Sequence, residues 1–299
     1  MKTYLITGGT GFVGQKLIER LISDGHQVVV LSRNENKAQR KLPEVVGTIK
    51  RLSQVDDDHI IDGIINLAGE PIADKRWTKK QKKELVHSRV GITRDLLELT
   101  ERLNKKPEVW INASAIGFYG EHPTREFDEF SQSEGGFTHE LCQAWEEQAQ
   151  RAQGLGVRLC INRFGVVLGE QGALQKMLPG FKAFVGGPMG DGKQWMSWVH
   201  IDDVIAIIQL QLKEPRLEGI YNVTAPEPVT NKTFAKTLAD VINRPAVIHL
   251  PGFVMKGLFG EMAETLLLSG QKVLPKRLQE QGYSFKYAGL KSALNATLN

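Results

Sequence analysis

Residues 7–14 read Thr-Gly-Gly-Thr-Gly-Phe-Val-Gly, and this stretch decides which fold the chain can adopt. It follows the apolar run 4–6 and precedes a helical pattern with apolar side chains at Val13, Leu17 and Leu21. A strand, a glycine-rich turn and a helix in this order predict a dinucleotide-binding turn, because glycines let the backbone approach a pyrophosphate at the helix N-terminus. A flexible surface turn is the weaker interpretation, since it requires neither the strand nor the helix.

The glycine spacing fits both forms of the dinucleotide fingerprint. Gly9, Gly11 and Gly14 match Gly-x-Gly-x-x-Gly, and the wider Gly-x-x-Gly-x-x-Gly form begins at Gly8. We therefore expect the cofactor to contact Gly8, Gly11, Phe12, Val13 and Gly14.

The composition is that of an ordinary globular protein. With 299 residues, of which 41% are hydrophobic and 24% charged, the chain can bury a core and form one large domain or two modest ones. The net charge of +4 is spread along the chain, and the lysines within 79–83 lie among polar residues. A solvated helix face explains these lysines better than a nucleic-acid site, so we expect no nucleic-acid partner.

Cysteines and apolar runs indicate the compartment. Cys142 and Cys160 are the only cysteines, so the sequence predicts neither a disulfide framework nor a metal site. No run of about 18 apolar residues occurs, and the first residues begin a strand rather than a signal peptide. These features predict a cytoplasmic protein without a membrane partner.

Short apolar runs alternate with helical patterns over the first half of the chain. The runs lie at 4–7, 28–31, 63–67, 109–113 and 158–162, and the helical patterns lie at 12–24, 79–103 and 138–153. This alternation predicts an α/β fold with a Rossmann-type, doubly wound parallel sheet, whose ligands bind at the carboxyl ends of the strands.

Glycines and prolines punctuate shorter elements after residue 168. We therefore expect a dinucleotide-binding Rossmann domain at 1–168 and a smaller C-terminal substrate domain at 169–299, with the segment near 198–225 returning to the first domain. The apolar stretch 252–282 is predicted to be helical and to pack in the core.

The end of the second predicted strand indicates which dinucleotide binds. A fold that prefers NAD places an Asp or Glu there, which binds the adenosine ribose hydroxyls. This chain has Ser32 and Arg33 instead, which can bind a 2′-phosphate by a hydrogen bond and a charge-assisted pair. We therefore predict NADP(H) as the cofactor; a solvated loop arginine is the alternative interpretation of Arg33.

A second small-residue turn, residues 66–69, follows the apolar run at 63–65. Together with the glycine turn it resembles the short-chain dehydrogenase/reductase superfamily, specifically its extended branch of sugar-nucleotide epimerases and dehydratases. Further matches over nearly the whole chain are Asn112-Ala113-Ser114, Tyr119-Gly120, the segment from Arg163 to Gly169, residues 198–204 and Tyr221-Asn222-Val223. A purely structural turn also explains Gly69, but the resemblance implies cofactor contacts from Asn66, Leu67, Ala68, Gly69 and Val167.

A narrower resemblance is to an atypical group, the epimerase family proteins, which has its own C-terminal module. It rests on Glu70, Arg76-Trp77, Ser88-Arg89, Trp145-Glu146 and the C-terminal segments 260–262, 270–277 and 282–283. It implies an NADP-binding Rossmann protein that acts as an oxidoreductase or a sugar-nucleotide epimerase. It also implies that Glu84 and Arg89 contact the cofactor, whereas the residues alone indicate a solvated helix face for both.

The catalytic pattern of the superfamily is not found in the sequence. Its reductases use a Tyr-x-x-x-Lys pair on a helix, where a cation makes the phenol a usable acid and base, together with a serine nearby. The matching helix at 137–144 has Thr138 and Cys142 at or beside those positions. Ser114 remains at a strand end, where it can orient a substrate oxygen or only satisfy backbone groups. Tyr119 is a candidate relocated acid, although packing is the commoner role of such a tyrosine.

Other polar residues in these regions have more than one interpretation. His139 is titratable and lies in the altered helix, but a half-exposed helix histidine without a role is commoner. Asp202 is predicted to cap the helix that follows it. Lys193 and Trp195 lie in a glycine-rich loop that either lines a cleft for a polar ligand or packs on its own tryptophans.

Two functions are compatible with the sequence. The first is an NADP-dependent oxidoreductase or epimerase that acts on an unidentified polar small molecule. The second is a catalytically silent NADP(H)-binding regulator or interaction protein, which the missing Tyr and Lys favour. Neither function fixes an oligomeric state.

Overall fold

A computed structural model describes residues 1–246, 248 and 250–298. Within these residues the strands are β1 (Thr3–Thr7), β2 (Gln27–Leu31), β3 (Gly47–Ile49), β4 (Gly63–Asn66), β5 (Val109–Ala115), β6 (Glu126–Phe127), β7 (Arg158–Phe164), β8 (Val166–Leu168), β9 (Trp195–Met196), β10 (Trp198–His200), β11 (Gly219–Val223), β12 (Val229–Thr230) and β13 (Lys272–Val273). The helices are α1 (Phe12–Ser23), α2 (Glu35–Lys41), α3 (Lys79–Val86), α4 (Ile92–Arg102), α5 (Phe137–Gln150), α6 (Ala173–Lys182), α7 (Ile201–Lys213), α8 (Asn231–Val241), α9 (Gly252–Phe259), α10 (Glu261–Leu266), α11 (Lys276–Glu280) and α12 (Leu290–Leu298).

A parallel sheet of seven strands forms the centre of the protein, in the order β11-β7-β5-β4-β1-β2-β3. The chain moves from β1 outward through β2 and β3, and then returns to the other side of β1 with β4. A crevice therefore opens between the carboxyl ends of β1 and β4, which is where doubly wound sheets bind their ligands. The predicted Rossmann-type α/β fold is confirmed.

Alternate residues of the strands pack against opposite layers of helices. Leu5, Ile64 and Trp110 face a core that includes side chains of α4 and α5. Their neighbours Ile6 and Ile65 face the other core, to which α1 and α7 contribute. Because both faces are covered, the strands are apolar throughout, and this is why the sequence showed continuous runs instead of alternation.

The C-terminal part has a separate core, and three short two-stranded pairings involve its strands: β8 with β10, β9 with β12 and β6 with β13. In this core, α6, α8 and α12 surround Trp198 and Phe234. β11 joins the large sheet, whereas the boundary at residue 168 stays a prediction. No helix of the described residues is long and apolar enough to span a membrane.

Two sequence predictions about helices were wrong in part. The stretch 252–282 is not one helix, because Gly260, with φ of +62°, ends α9, and the chain then forms α10, β13 and α11; nor does all of it pack in the core, since Met255 is the one buried residue of α9. The predicted helix 79–103 is interrupted by a π-helical turn at His87–Gly91. The strand β3 was not predicted; it has only three residues and none of them is buried.

The exposed edge of β11 is capped by side chains instead of by another strand. The Arg277 guanidinium donates to the backbone oxygens of Ile220 and Glu218, at 2.8 and 2.9 Å. The Glu129 carboxylate accepts the backbone N–H of Asn222 at 2.9 Å. These groups satisfy the polar edge that would otherwise invite pairing with a second chain.

The C-terminal segment is anchored to α7 through a buried aspartate. The Asp203 carboxylate accepts the backbone N–H groups of Lys286 and Tyr287 and the hydroxyl of Tyr283. The predicted helix cap at Asp202 was wrong: His200 is the N-cap residue, and its Nδ1 accepts the backbone N–H of Asp202 at 3.1 Å. An unprotonated Nδ1 is required for this bond.

We expect His200→Asn to weaken the pH dependence of stability. Burial lowers the pKa of the His200 imidazole from its ordinary value near 6.5, and the carboxylates of Asp202 and Asp203 oppose this effect only in part. As pH falls below about 6.5, the unfolded chain binds a proton that the folded chain resists, so the free energy of unfolding falls. Asparagine keeps a cap acceptor without titrating. Urea unfolding between pH 7.5 and 5.5 measures this slope, and an equal slope in the parent and His200→Asn would contradict the role of the imidazole.

Candidate functional site

The glycine turn is compressed against its surroundings in a way that only glycine permits. Gly8 has φ of +69°, and a methyl group added to it would lie 2.4 Å from the carbonyl oxygen of Leu67. A methyl group at Gly14 would lie 2.4 Å from the carbonyl oxygen of Gly8 and 2.7 Å from Cα of Gly9. The turn therefore packs tightly between the start of α1 and the chain after β4.

The N-terminus of α1 is open to a ligand. Its N-cap residue is Gly11, which is exposed and supplies no side chain to cap the helix. The first backbone N–H groups of α1, at Phe12 and Val13, thus point out of the helix at the crevice, where they suit an anion. The Phe12 ring packs over Gly169, because a methyl group there would lie 2.4 Å from Cζ. Phe12, Val13, Leu67 and Val167 are all partly buried against one core cluster.

Beneath the second turn lies a buried chain of hydrogen bonds. The Thr7 hydroxyl donates to Asn66 at 2.6 Å, and the Asn66 amide donates to Thr93 and Asn112 at 2.9 and 2.7 Å. The Ala68 backbone N–H donates to the Thr7 hydroxyl at 3.2 Å. Asn66 is fully buried, so in this structure its side chain holds the 67–69 turn against β1. Sequence reasoning missed Thr93, which lies on a different element.

The end of β2 presents an unpaired cation. Arg33 is exposed, and its guanidinium has no hydrogen-bond or ion-pair partner in the part of the chain that the structure describes. The Ser32 hydroxyl is half-buried and donates to the backbone oxygen of Asn34 at 3.1 Å. Both predicted residues therefore lie beside the crevice strand β1, where β2 ends.

The π-helical turn brings Arg89 to the second turn. Its guanidinium donates to the backbone oxygens of Glu70 and Leu85, at 3.0 and 3.1 Å, and lies over the Trp145 ring at 5.3 Å. A methyl group at Gly69 would lie 2.9 Å from the Arg89 Cζ. Glu84 lies on the exposed face of α3, and the structure does not join it to this cluster. Only the family resemblance predicted that Arg89 lies at this site. Its position in a helical pattern predicted a side chain exposed to solvent.

Ser114 lies at the end of β5 and leads into a buried ion pair. Its hydroxyl donates to the Glu146 carboxylate at 2.6 Å. Arg163 donates to both oxygens of Glu146, at 2.9 and 2.7 Å, and its Cζ lies 3.3 Å from the centre of the Phe118 ring. Arg163 is only 2% exposed and Glu146 only 3%. The two charges therefore depend on each other inside the protein.

Tyr119 extends this network away from the crevice. Its hydroxyl accepts from Arg163 at 3.0 Å and donates to Asn222 at 2.7 Å. Burial raises the pKa of the Tyr119 phenol to about 12, and the Arg163 cation opposes this only in part. The phenol is fully buried, with its donor and acceptor used inside the protein. The catalytic roles of Ser114 and Tyr119 stay predictions.

Thr138 and Cys142 lie on α5 where the sequence placed them. Thr138 is buried beside Gly117, and Cys142 is buried against Ser114. Burial raises the pKa of the Cys142 thiol to about 11, and the nearby Glu146 carboxylate adds to this effect. His139 lies on the same helix, and its Nδ1 is 2.7 Å from the backbone oxygen of Phe118.

The glycine-rich loop of the C-terminal part is held by contacts with distant segments of the chain. The Trp195 indole donates to the backbone oxygen of Pro123 at 3.1 Å, and Lys272 lies over its ring. Lys193 is exposed. Among the described residues, no group of three or more His, Cys, Asp or Glu side chains could hold a metal ion.

The fold and the crevice residues agree with the protein families that the sequence matches. Residues 4–224 match the NAD dependent epimerase/dehydratase family. The chain belongs to this family. The remaining C-terminal part matches a domain of unknown function, DUF1731, over residues 250–297. The epimerase family chain thus combines an extended short-chain dehydrogenase/reductase core with the C-terminal module that the sequence predicted.

Relatives of this epimerase family chain match it over nearly its whole length. The epimerase family protein SDR39U1 homologue of Arabidopsis thaliana is 40% identical over 99% of this chain and 86% of its own length. The epimerase family protein YfhF of Bacillus subtilis is 39% identical over 97% of this chain and 96% of its own length. The crystal structure of the human epimerase family protein SDR39U1 with NADPH is 34% identical, with a TM-score of 0.90, over 99% of this chain and 98% of that chain.

Proposed function

We propose that this protein binds NADP(H) in the crevice between β1 and β4 and is an oxidoreductase. The assignment of NADP(H) rests on Arg33. Its guanidinium, which has no partner in the described residues, lies at the end of β2, where a fold that prefers NAD has a carboxylate. The human relative with NADPH supports the same cofactor at 34% identity.

The residues of the crevice fit a dinucleotide. The uncapped N-terminus of α1 offers backbone N–H groups to a pyrophosphate, and Gly11 leaves space for its approach. Arg33 and Ser32 would hold the 2′-phosphate, and the turn at 67–69 would lie along the adenosine. When bound, the cofactor supplies or accepts a hydride at its nicotinamide.

We expect Arg33→Ala to lower NADP(H) affinity about 10- to 100-fold, because a charge-assisted hydrogen bond contributes about 1.5–3 kcal/mol. NAD(H) affinity should change little, so the preference between the two cofactors falls. Titration of the intact protein with each cofactor by calorimetry measures this effect. Arg216→Ala removes another exposed arginine, which precedes the opposite edge strand β11, and should leave both affinities unchanged. Unchanged NADP(H) affinity in Arg33→Ala would refute the assignment.

For the reaction, we propose that Ser114 orients a substrate oxygen over the nicotinamide position. Its hydroxyl donates to Glu146 in this structure, so it can accept a hydrogen bond from a substrate hydroxyl, and it can bind a substrate carbonyl only by turning its single proton from Glu146 to that oxygen. The substrate class that this suits is a polar small molecule with an alcohol or carbonyl, and sugar nucleotides are the candidates that the family suggests.

The two buried cysteines are free thiols, which supports a reducing, cytoplasmic location.

We expect Ser114→Ala to lower turnover about 100-fold without changing NADPH affinity. Transfer of deuteride from 4-deuterated NADPH to a panel of carbonyls and nucleotide sugars measures turnover. Ser292→Ala, at an exposed serine of α12, is the matched control. Turnover that survives Ser114→Ala would remove Ser114 from the mechanism.

A second candidate function is an NADP(H)-binding regulator without turnover. It is favoured by one observation: the polar atoms of Tyr119 are bonded inside the protein, and the thiol at the expected lysine position is buried. Tight NADPH binding with no deuteride transfer over the whole panel would support this alternative and exclude the oxidoreductase for those substrates.

A further inference from the structure

Seven exposed apolar side chains lie on two neighbouring segments of the C-terminal part. They form what we call the apolar tip: Phe184, Val185, Ile248, Phe253, Val254, Leu258 and Phe259. Its two segments run side by side, since the backbone N–H of Gly190 donates to Leu250 at 2.9 Å and the N–H of Leu250 donates to Pro188 at 3.0 Å. The other large apolar side chains that the described residues expose, Met1, Val45, Ile60 and Phe130, lie on separate segments.

The side chains of the tip are exposed to solvent. On α9, Phe253 is 76% exposed and Leu258 is 59% exposed, while Met255 alone of this helix is buried. On the neighbouring loop, Phe184 has φ of +64°, a conformation rare for a bulky residue, and its ring lies outside the core. A patch of this kind on a globular protein indicates a partner surface.

Two cations at the tip, Lys182 and Arg244, have no acidic partner in the described residues, whereas Lys256 is paired with Glu264, and the exposed Asp191 and Asp240 flank the two segments. No Asp or Glu occurs at residues 182–190 or 241–260, whereas Lys182, Arg244 and Lys256 occur there. The Arg244 guanidinium lies over the Phe184 ring at 5.1 Å. The nearest acidic side chains on α10 are already paired, Glu261 with Lys82 and Glu264 with Lys256. Aromatic and aliphatic side chains with lysine and arginine beside them are typical of surfaces that bind anionic lipids.

We propose that the apolar tip inserts into the interfacial layer of a membrane that contains anionic lipids. A second copy of the same tip would bring like charges together, whereas anionic headgroups would complement Lys182 and Arg244 while the apolar side chains enter the acyl boundary. The protein would lie on the membrane without crossing it. This attachment is independent of the oxidoreductase proposal, because none of its residues lies in the cofactor crevice.

Flotation of the full-length protein with vesicles tests this inference. Vesicles of phosphatidylcholine and phosphatidylglycerol in equal parts should bind the protein, and vesicles of phosphatidylcholine alone should bind it more weakly. The double variant Phe253→Ser/Leu258→Ser should lower the partition coefficient at least about tenfold, because each side chain loses its burial in lipid. Arg244→Gln/Lys182→Gln should abolish the preference for the anionic vesicles. Val45→Ser/Ile60→Ser removes two exposed apolar side chains outside the tip and should bind like the parent.

Two results would overturn the inference. One is equal binding, or no binding, of parent and tip variant to anionic vesicles, with circular dichroism showing both folded. The other is a dimer in sedimentation equilibrium that Phe253→Ser/Leu258→Ser dissociates, since a second copy would then cover the tip. NADPH titration of the same variants should give the parent's affinity, which separates a failure here from a failure of the proposed function.

Discussion

Glu146→Ala should lower the free energy of unfolding by about 3–5 kcal/mol, the largest loss of stability that we expect from one side chain. The carboxylate is the only acidic partner of Arg163 in the described residues, and both groups are nearly excluded from solvent. Removing it leaves a buried guanidinium that keeps its bond to the Tyr119 hydroxyl and its contacts with the Phe118 and Tyr119 rings but has no acidic partner in the described residues. An intact buried ion pair adds little to the free energy of unfolding, because its attraction is offset by the cost of removing both charges from water. Removing one partner still lowers this free energy strongly, because the other charge stays buried without compensation.

Chemical unfolding followed by tryptophan fluorescence measures this loss. Glu147→Ala is the matched control, since Glu147 is the next residue on α5 but is exposed and, in the part of the chain that the structure describes, bonds only to Gln143. Its effect should stay within about 0.5 kcal/mol. Glu146→Met combined with Arg163→Met should recover much of the stability, because no charge is then left unpaired. Equal losses in Glu146→Ala and Glu147→Ala would contradict the role of the pair.

Local features of the sequence predicted the framework of the fold well. The runs at 28–31 and 63–67 lie within one residue of β2 and β4, because a strand covered on both faces needs a continuous apolar run. The glycines at 8, 11 and 14 predicted the turn correctly. A Cβ at Gly8 or Gly14 would clash with the backbone, and Gly11 leaves the N-terminus of α1 open to a ligand.

Pairs that are distant in sequence could not be predicted. Ser114 and Glu146 are brought together only when α5 packs beside β5, and Thr7 meets Thr93 through Asn66 only in the assembled sheet. The helix cap at His200 was missed because Asp202 has the stronger statistical preference, whereas the imidazole has the required position.

Gly14→Ala should lower NADPH affinity about 100-fold, equivalent to about 2.7 kcal/mol. The added methyl group cannot remain 2.4 Å from the carbonyl oxygen of Gly8 and 2.7 Å from Cα of Gly9, so the turn must move. Leu67 blocks movement in one direction, since Gly8 already packs on its backbone. The turn must then shift into the space in front of α1, which is where the pyrophosphate would bind.

Fluorescence titration with NADPH measures this change, and circular dichroism separates it from unfolding. Gly154→Ala is the control for the change from glycine to alanine, because a methyl group there meets no atom within 4 Å. It should leave the affinity unchanged, whereas Gly14→Ala should lose binding while it keeps its secondary structure. Since Arg33 contacts only the 2′-phosphate in our assignment, Gly14→Ala should weaken NADPH and NADH alike, and Arg33→Ala should weaken NADPH alone. If Gly14→Ala bound NADPH as tightly as the parent, the dinucleotide could not lie on the glycine turn, and the crevice between β1 and β4 would no longer be the cofactor site.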